Sequence, residues 1–295
     1  MIVTVTLNAA LDVAYEAEGP SWQATRDITR VRHRAGGTGV AVARVLYKFG
    51  HEVLVAGLAG GATGELIRED LGRSGIPVAL TGISQESRRM LAVTDTVSGQ
   101  VMRLREPGPY VTTEELGRFA GDYRALLSDA TAVVLCGSLP LGLPPEIYGS
   151  LATYAAEAGV PVILSTGGEA LRYAAARRPD LVVPEDENEP AAEADPEAAG
   201  DALLAQGAVA VAVPAGDRLT VVTKGGRWQA TLAGQTLGLP GPLVGGLVPG
   251  LLLGWSWPDL LRNAAAVAAA ATVAGDVNLT EYERLVDQVE VEPAG

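Results

Sequence analysis

The chain has 295 residues, with 35 acidic side chains against 22 basic ones and a formal net charge of −13. Hydrophobic content of 48% with 19% charged residues excludes a disordered or low-complexity polymer, and the length allows one large domain or two small ones. The acidic excess, with lysine only at Lys48 and Lys224, argues against a general nucleic-acid binder, and the lone Cys136 excludes a disulfide framework or a cysteine-based zinc site and fits a reducing cytoplasm.

In chain order, the opening run Ile2–Thr6 is short, β-branched and without the cationic flank of a signal peptide, so it reads as a buried strand. Asp12–Arg34 looks like amphipathic strand. A helix follows over about Val40–Phe49, a strand over Glu52–Ala56 and a helix over Gly64–Gly72. Arg88–Arg105 breaks the alternation, with Met90–Thr94 and Gln100–Leu104 forming a hairpin around Ser98-Gly99. Helices at Thr113–Leu127, Pro145–Ala158 and Gly168–Ala176 then alternate with strands at Ala132–Cys136, Val160–Leu164 and Asp180–Val183. Glu185–Glu197 holds seven acidic residues in thirteen and reads as a solvated, partly mobile loop. Past the strand Val209–Val213, the stretch Trp228–Pro258 carries no charge, but Pro240, Pro242, Pro249 and seven glycines argue against a regular helix through it and against a membrane span. Helices over about Pro258–Val273 and Thr280–Gln288 close the chain. Repeated strand–helix–strand spacing predicts right-handed crossovers and a mostly parallel sheet covered on both faces.

Several segments carry a family resemblance. Thr4-Val5-Thr6-Leu7-Asn8-Ala9-Ala10-Leu11-Asp12 is similar to a TxNPAxD start, and Arg34-Ala35-Gly36-Gly37-Thr38-Gly39-Val40-Ala41-Val42-Ala43 to an RAGGKGxNVA element. The segments Gly57–Gly64, Glu106–Pro109, Gly137–Pro140, Gly168–Leu171 and Pro179–Val182 match in order and spacing. Together they resemble the ribokinase/PfkB superfamily, most closely its 1-phosphofructokinase and tagatose-6-phosphate kinase branch, over essentially the whole chain. The resemblance implies one ribokinase-like α/β/α sandwich over 1–295, with a small β lid formed by about 12–34 and 88–106. It also implies a homodimer through that lid, a sugar phosphate beneath it, and ATP with magnesium along the C-terminal half of the sheet. Phosphoryl transfer in the family takes place at a GAGD element, where a helix N-terminus supplies N–H donors and the aspartate is the general base.

Against that pattern the chain departs at the transfer element itself. Aligned on Gly238, Pro240 and Gly250, the stretch Gly238–Gly250 puts Gly245 at the position of the catalytic aspartate, with Pro242 and Val244 in place of the two glycines. Glycine has no proton-accepting side chain, and proline has no N–H for a phosphate. Thr38 stands where the family has a lysine, Ala41 where it has an asparagine, and Ser165 where it has an aspartate. Val183-Pro184-Glu185-Asp186-Glu187-Asn188 replaces a KPNxxE element of the magnesium and phosphate network, so Glu185 and Asn188 exchange an amide and a carboxylate. Pro214-Ala215-Gly216 replaces a Ser-Leu-Gly nucleotide loop.

Ligand-binding candidates on the sugar side are Asp12, Gly37, Thr38, Arg88 and Ser138. Asp12 matches a residue that holds sugar hydroxyls, and Arg88 a lid arginine that contacts the substrate phosphate. For both, a structural role (turn cap, solvated strand face) is an equal alternative, whereas Arg103 and Arg105 read as a solvated face. His33 and His51 are too isolated for a metal site, and no metal is expected; Cys136 reads as an inert buried thiol. The expectation is a cytoplasmic PfkB-like protein that has lost the phosphoryl-transfer residues, binds a small sugar-phosphate-like metabolite or a protein partner, and takes no cofactor. A repurposed enzyme acting in the old sugar pocket and a residual ATP-dependent sugar-phosphate kinase are the alternatives.

Overall fold

In a computed structural model, residues 1–20, 25, 27–185, 195–272 and 274–294 are described. The chain runs β1 (Ile2–Thr6), β2 (Ala10–Ala17), β3 (Ile28–Gly36), α1 (Thr38–Lys48), β4 (Val53–Gly60), α2 (Gly61–Arg73), β5 (Val78–Ile83), β6 (Arg88–Asp95) and β7 (Val101–Arg105). It continues through α3 (Thr113–Leu126), β8 (Ala132–Cys136), α4 (Ile147–Glu157), β9 (Val162–Thr166), α5 (Gly168–Ala175) and β10 (Leu181–Pro184). Beyond residue 195 come α6 (Pro196–Gln206), β11 (Ala210–Ala215), β12 (Arg218–Thr223), β13 (Gly226–Thr231), α7 (Pro240–Leu252), α8 (Trp257–Ala270), α9 (Leu279–Val286) and β14 (Glu290–Pro293).

Ten strands form one sheet in the order β14-β13-β12-β11-β10-β9-β8-β1-β4-β5. From β11 through β5 every pairing is parallel, and β12 to β14 extend the sheet as antiparallel strands. Successive residues of a strand point to opposite faces, and the apolar runs use both. Ala132, Val134 and Cys136 of β8 join the core under α1, α2, α7 and α8, while Val133 and Leu135 join the core under α3, α4 and α5. The result is the expected three-layer α/β/α arrangement.

A second sheet of four strands, in the order β3-β2-β6-β7, grows from the segments expected to form a lid. β2 pairs antiparallel with β3 and parallel with β6, and β6 and β7 form the expected hairpin. The acidic run is seen only at its ends, since 186–194 lies outside the described residues. At its far end Asp195 caps α6 by accepting from the Ala198 N–H, an arrangement that the acid count alone does not reveal.

No helix runs through the whole of Trp228–Pro258, as expected, but its proline- and glycine-rich middle forms α7, thirteen residues long with Pro249 inside it. Pro240 opens the helix, where a missing N–H costs nothing. The glycines let α7 lie against its neighbours: a Cβ on Gly245 would sit 2.6 Å from Val45 Cβ, and one on Gly246 would sit 2.8 Å from Ala264 Cα. Thirteen residues span about 20 Å, short of the roughly 30 Å of a bilayer core. No helix among the described residues is long and apolar enough to cross a membrane.

Candidate functional site

Parallel strands leave their C-terminal ends open to ligands, and here those ends meet a cleft of about 790 Å³. Thr6, Gly137, Thr166 and Glu185 lie at or just beyond the ends of β1, β8, β9 and β10 and line its floor. The N-terminal turns of α1 and α7 form one side. The small sheet closes the other with Asp12, Arg88, Met90 and Arg105. Arg105, expected on a solvated strand face, therefore lines the cleft, because its register opposite Met90 and Asp12 turns it inward.

On the small-sheet side the polar groups are held by partners. Asp12 lies inside β2, not at a turn, and packs so closely on Gly36 that a Cβ there would lie 2.3 Å from its carboxylate oxygen. Burial pushes the Asp12 carboxyl up to about 6, against the opposing pull of Arg44, Arg88 and Arg34. Arg44 is only 5% exposed; it pairs with Asp70 at 2.7 Å and donates to the Ala35 carbonyl at 3.1 Å. Arg88 Nε donates to the Asn8 carbonyl oxygen at 3.3 Å. Asn8 Nδ2 in turn donates to Ser138 Oγ at 3.2 Å and to the Leu139 carbonyl at 3.3 Å, while Asn8 Oδ1 is buried without a hydrogen-bond partner.

Across the floor, Thr38, Ser165 and Glu185 form one network. Thr38 Oγ1 donates to Glu185 Oε2 at 3.1 Å, and the fully buried Ser165 donates to Glu185 Oε1 at 2.8 Å. Glu185, just beyond the end of the neighbouring strand, thus brings a carboxylate within hydrogen-bond reach of Ser165. Burial first, and then the Glu185 charge, push the Cys136 thiol up, which makes it an inert core thiol.

Gly245, aligned on sequence with the family's aspartate, does not line the cleft. A base at a helix N-terminus has to come from the first turn of α7, and the residues that line the cleft there are Gly238, Leu239, Pro240, Gly241 and Pro242. Gly245 lies a full turn further in, facing Val45 of α1, and Val244 is a buried core residue. Gly245 is glycine for packing, and Gly241 is the residue at the cleft. The one-turn shift leaves the chemistry unchanged, since no carboxylate lies anywhere in 238–242.

Seven candidates therefore share the cleft: Asp12, Gly37, Thr38, Arg88, Ser138, Glu185 and Pro242. Val244 and Gly245 do not line it, and Asn188 lies outside the described residues. Residues that sequence reasoning did not single out are Asn8, the asparagine inside the opening motif, and the buried Arg44. The motif itself could have pointed to Asn8, and only a position close after a motif glycine to Arg44. For ATP and magnesium the fit is poor. Pro240 and Pro242 offer no N–H at the helix start, Arg88 and Arg105 are the only basic residues among the described lining residues, and both stand on the small sheet. No group of three or more His, Cys, Asp or Glu among the described residues could hold a metal ion. A second cleft of about 700 Å³ at the opposite, N-terminal edge of the sheet, beside Trp257 and Lys224, holds none of the candidate site residues.

Comparison with known proteins agrees with this architecture. A 1-phosphofructokinase of Rhodobacter capsulatus is 33% identical over 298 residues, covering 96% of this chain and 94% of that protein. The structure of a possible 1-phosphofructokinase of Thermotoga maritima superposes with a TM-score of 0.88 at 22% identity, over 100% of this chain and 99% of that one. Phosphofructokinase-2 of Escherichia coli, in complex with fructose-6-phosphate, superposes with a TM-score of 0.85 at 25% identity, over 97% of this chain and 98% of that one. The pfkB family carbohydrate kinase model matches residues 6–235, ending just before the turn that opens α7. On this evidence, the chain belongs to the pfkB family of carbohydrate kinases.

Proposed function

We propose that this protein binds a sugar phosphate in the cleft under the small sheet and has lost efficient phosphoryl transfer from ATP. The observation that carries the reading is the first turn of α7, where Gly238-Leu239-Pro240-Gly241-Pro242 presents neither a carboxylate nor the full set of N–H donors. Phosphoryl transfer depends almost wholly on positioning and charge stabilisation, so losing the base and part of the anion site together removes what drives it. Asp12, Arg88 and Ser138 support the sugar-phosphate half, because each lines the cleft and is held there by neighbours.

In thermal unfolding, fructose 1-phosphate or fructose 6-phosphate at one hundred times its dissociation constant stabilises by about 2.7 kcal/mol. Millimolar Mg-ATP is expected to give no shift. A shift with Mg-ATP and none with either sugar phosphate overturns the reading.

A second reading, an active sugar-phosphate kinase, is favoured by the 33% identity to the Rhodobacter 1-phosphofructokinase. It requires a base from outside the α7 turn, and Glu185 is the carboxylate on the cleft floor that could be asked to serve.

We also read the small sheet as a homodimer face. Val31, Met102 and Leu104 are exposed on the face opposite Asp12. Leu104→Asp should convert a dimer to a monomer in light scattering, and a wild-type monomer would remove the idea.

A further inference from the structure

The turn that leaves β1 carries a residue tied to both sheets. Thr6 and Cys136 are register partners at the ends of the parallel strands β1 and β8, so Asn8 and Ser138, each two residues further on, come side by side. On its other flank the chain enters β2, whose first residue, Ala10, pairs with Arg88, the first residue of β6. Asn8 meets both neighbours. Its Nδ2 donates to Ser138 Oγ at 3.2 Å and to the Leu139 carbonyl at 3.3 Å, and its backbone carbonyl accepts from Arg88 Nε at 3.3 Å. Asn8 is only 6% exposed, and a Cβ on Gly108 would sit 2.7 Å from its Oδ1, so the amide is held closely in one place. Hydrogen-bond chemistry then fixes the direction of the Asn8–Ser138 bond. A carbonyl only accepts, so the end of the amide beside Leu139 is the NH2 group, and its two hydrogens serve Leu139 and Ser138. A serine hydroxyl has one proton and two lone pairs. One lone pair of Ser138 is taken by Asn8, and its own proton has no acceptor among the described residues. Ser138 is exposed and lines the cleft, so the hydroxyl faces the cleft as a donor.

We propose that Asn8 is a positioning residue of this cleft: its side-chain amide sets Ser138 as a hydrogen-bond donor, so the site selects a ligand that places an acceptor oxygen against Ser138. This deepens the sugar-phosphate reading and rests on it. Asn8 acts through Ser138. Holding the hydroxyl in one orientation removes a rotor that the ligand would otherwise have to order, and preorganisation of this kind raises affinity without a new contact. Arg88, bonded to the backbone carbonyl of the same residue, is a second donor fixed from the same turn, and its bond does not depend on the Asn8 side chain.

A double-mutant cycle on the full chain, read by calorimetry, tests the proposal with whichever of fructose 1-phosphate and fructose 6-phosphate the wild-type protein binds more tightly. Ser138→Ala should weaken that ligand about tenfold, the scale of one hydrogen bond to a charged or strongly polar oxygen. Asn8→Leu keeps the side-chain volume, removes the N–H donors and leaves the carbonyl that holds Arg88. It should weaken the ligand about threefold or more, and Asn8→Ala runs beside it as a second variant. In the Ser138→Ala background the same changes at Asn8 should alter affinity less than about twofold, because the hydroxyl they would release is gone. Thermal unfolding of each variant reads any loss of stability separately. A residue that only supports the fold would lower stability and weaken binding equally in both backgrounds, and that result overturns the proposal. Unchanged affinity in Ser138→Ala also overturns it, whether or not the variants at Asn8 fold, as does unchanged affinity in those variants. In each of these cases the sugar-phosphate reading stands. If the wild-type protein binds neither sugar phosphate, both fall.

Discussion

The two sides of the cleft differ in chemical character. Along the small sheet, Asp12, Asn8 and Arg88 keep their polar groups and hold one another through Arg44, Gly36 and Ser138. At the start of α7 the residues are apolar and closely packed: Gly241 against Ala41, Gly245 against Val45, and two prolines in the first turn. Glycines one helical turn apart let α1 and α7 approach closely, and the apolar contact they make is the kind of interaction a core improves once a site no longer needs its charges. We propose that recognition is retained on the first wall and phosphoryl transfer is lost on the second.

The largest effect is expected where the α7 side is forced back toward a polar site in the wrong register. Gly245→Asp puts a carboxylate into the Val45 contact and should cost about 3–5 kcal/mol in denaturant unfolding, from overpacking and an unpaired buried charge. A variant as stable as wild type would mean that Gly245 is not core, and the comparison would lose one of its halves.

Asp12 tests the other wall through pH. Its folded pKa of about 6 lies above the ordinary 3.8, so the folded state holds the proton more tightly than the unfolded chain. Stability contributed by that proton is present below pH 3.8, falls as pH rises to about 6, and is gone above it. Asp12→Asn should therefore raise the unfolding free energy at pH 8 by about 2 kcal/mol and change nothing at pH 3.5. An equal effect at both pH values would show that Asp12 is not buried as described.

Arg88→Ala should weaken sugar-phosphate binding tenfold or more by calorimetry, the scale of a lost charge-assisted hydrogen bond, with little change in thermal unfolding. Unchanged affinity would remove the arginine from the binding wall. Smaller still, Ser165→Ala should cost about 1 kcal/mol of stability. A neutral result would mean that the Glu185 network is decorative.

Much of this was legible in the sequence. The β-branched runs and their helix spacing give the layered sheet, and Arg88–Arg105 gives the hairpin, because periodicity and turn residues report directly on backbone geometry. The α7 helix was hidden because glycine and proline read as breakers, although prolines in a first turn need no N–H partner and glycines at a helix crossing stabilise by closeness. Its register was ambiguous for the same reason: Gly241 and Gly245 are four apart and share one face, so a sparse glycine–proline match cannot choose between them. Thr38, Ser165 and Glu185 could each be flagged as departures, but that they bond to one another depends on the pairing of β9 with β10 and on where α1 begins, and no linear pattern carries that.

The central claim, that recognition is kept and transfer is lost, is tested most directly by steady-state turnover of fructose 1-phosphate with saturating Mg-ATP. Kinases turn over at roughly 1–100 per second. Loss of a general base alone removes about 10²–10⁴-fold. The account predicts a rate of roughly 0.0001–1 per second for the wild-type chain, below the ordinary kinase range, from these two ranges. Turnover in the ordinary kinase range would contradict it and would place the base outside the α7 turn.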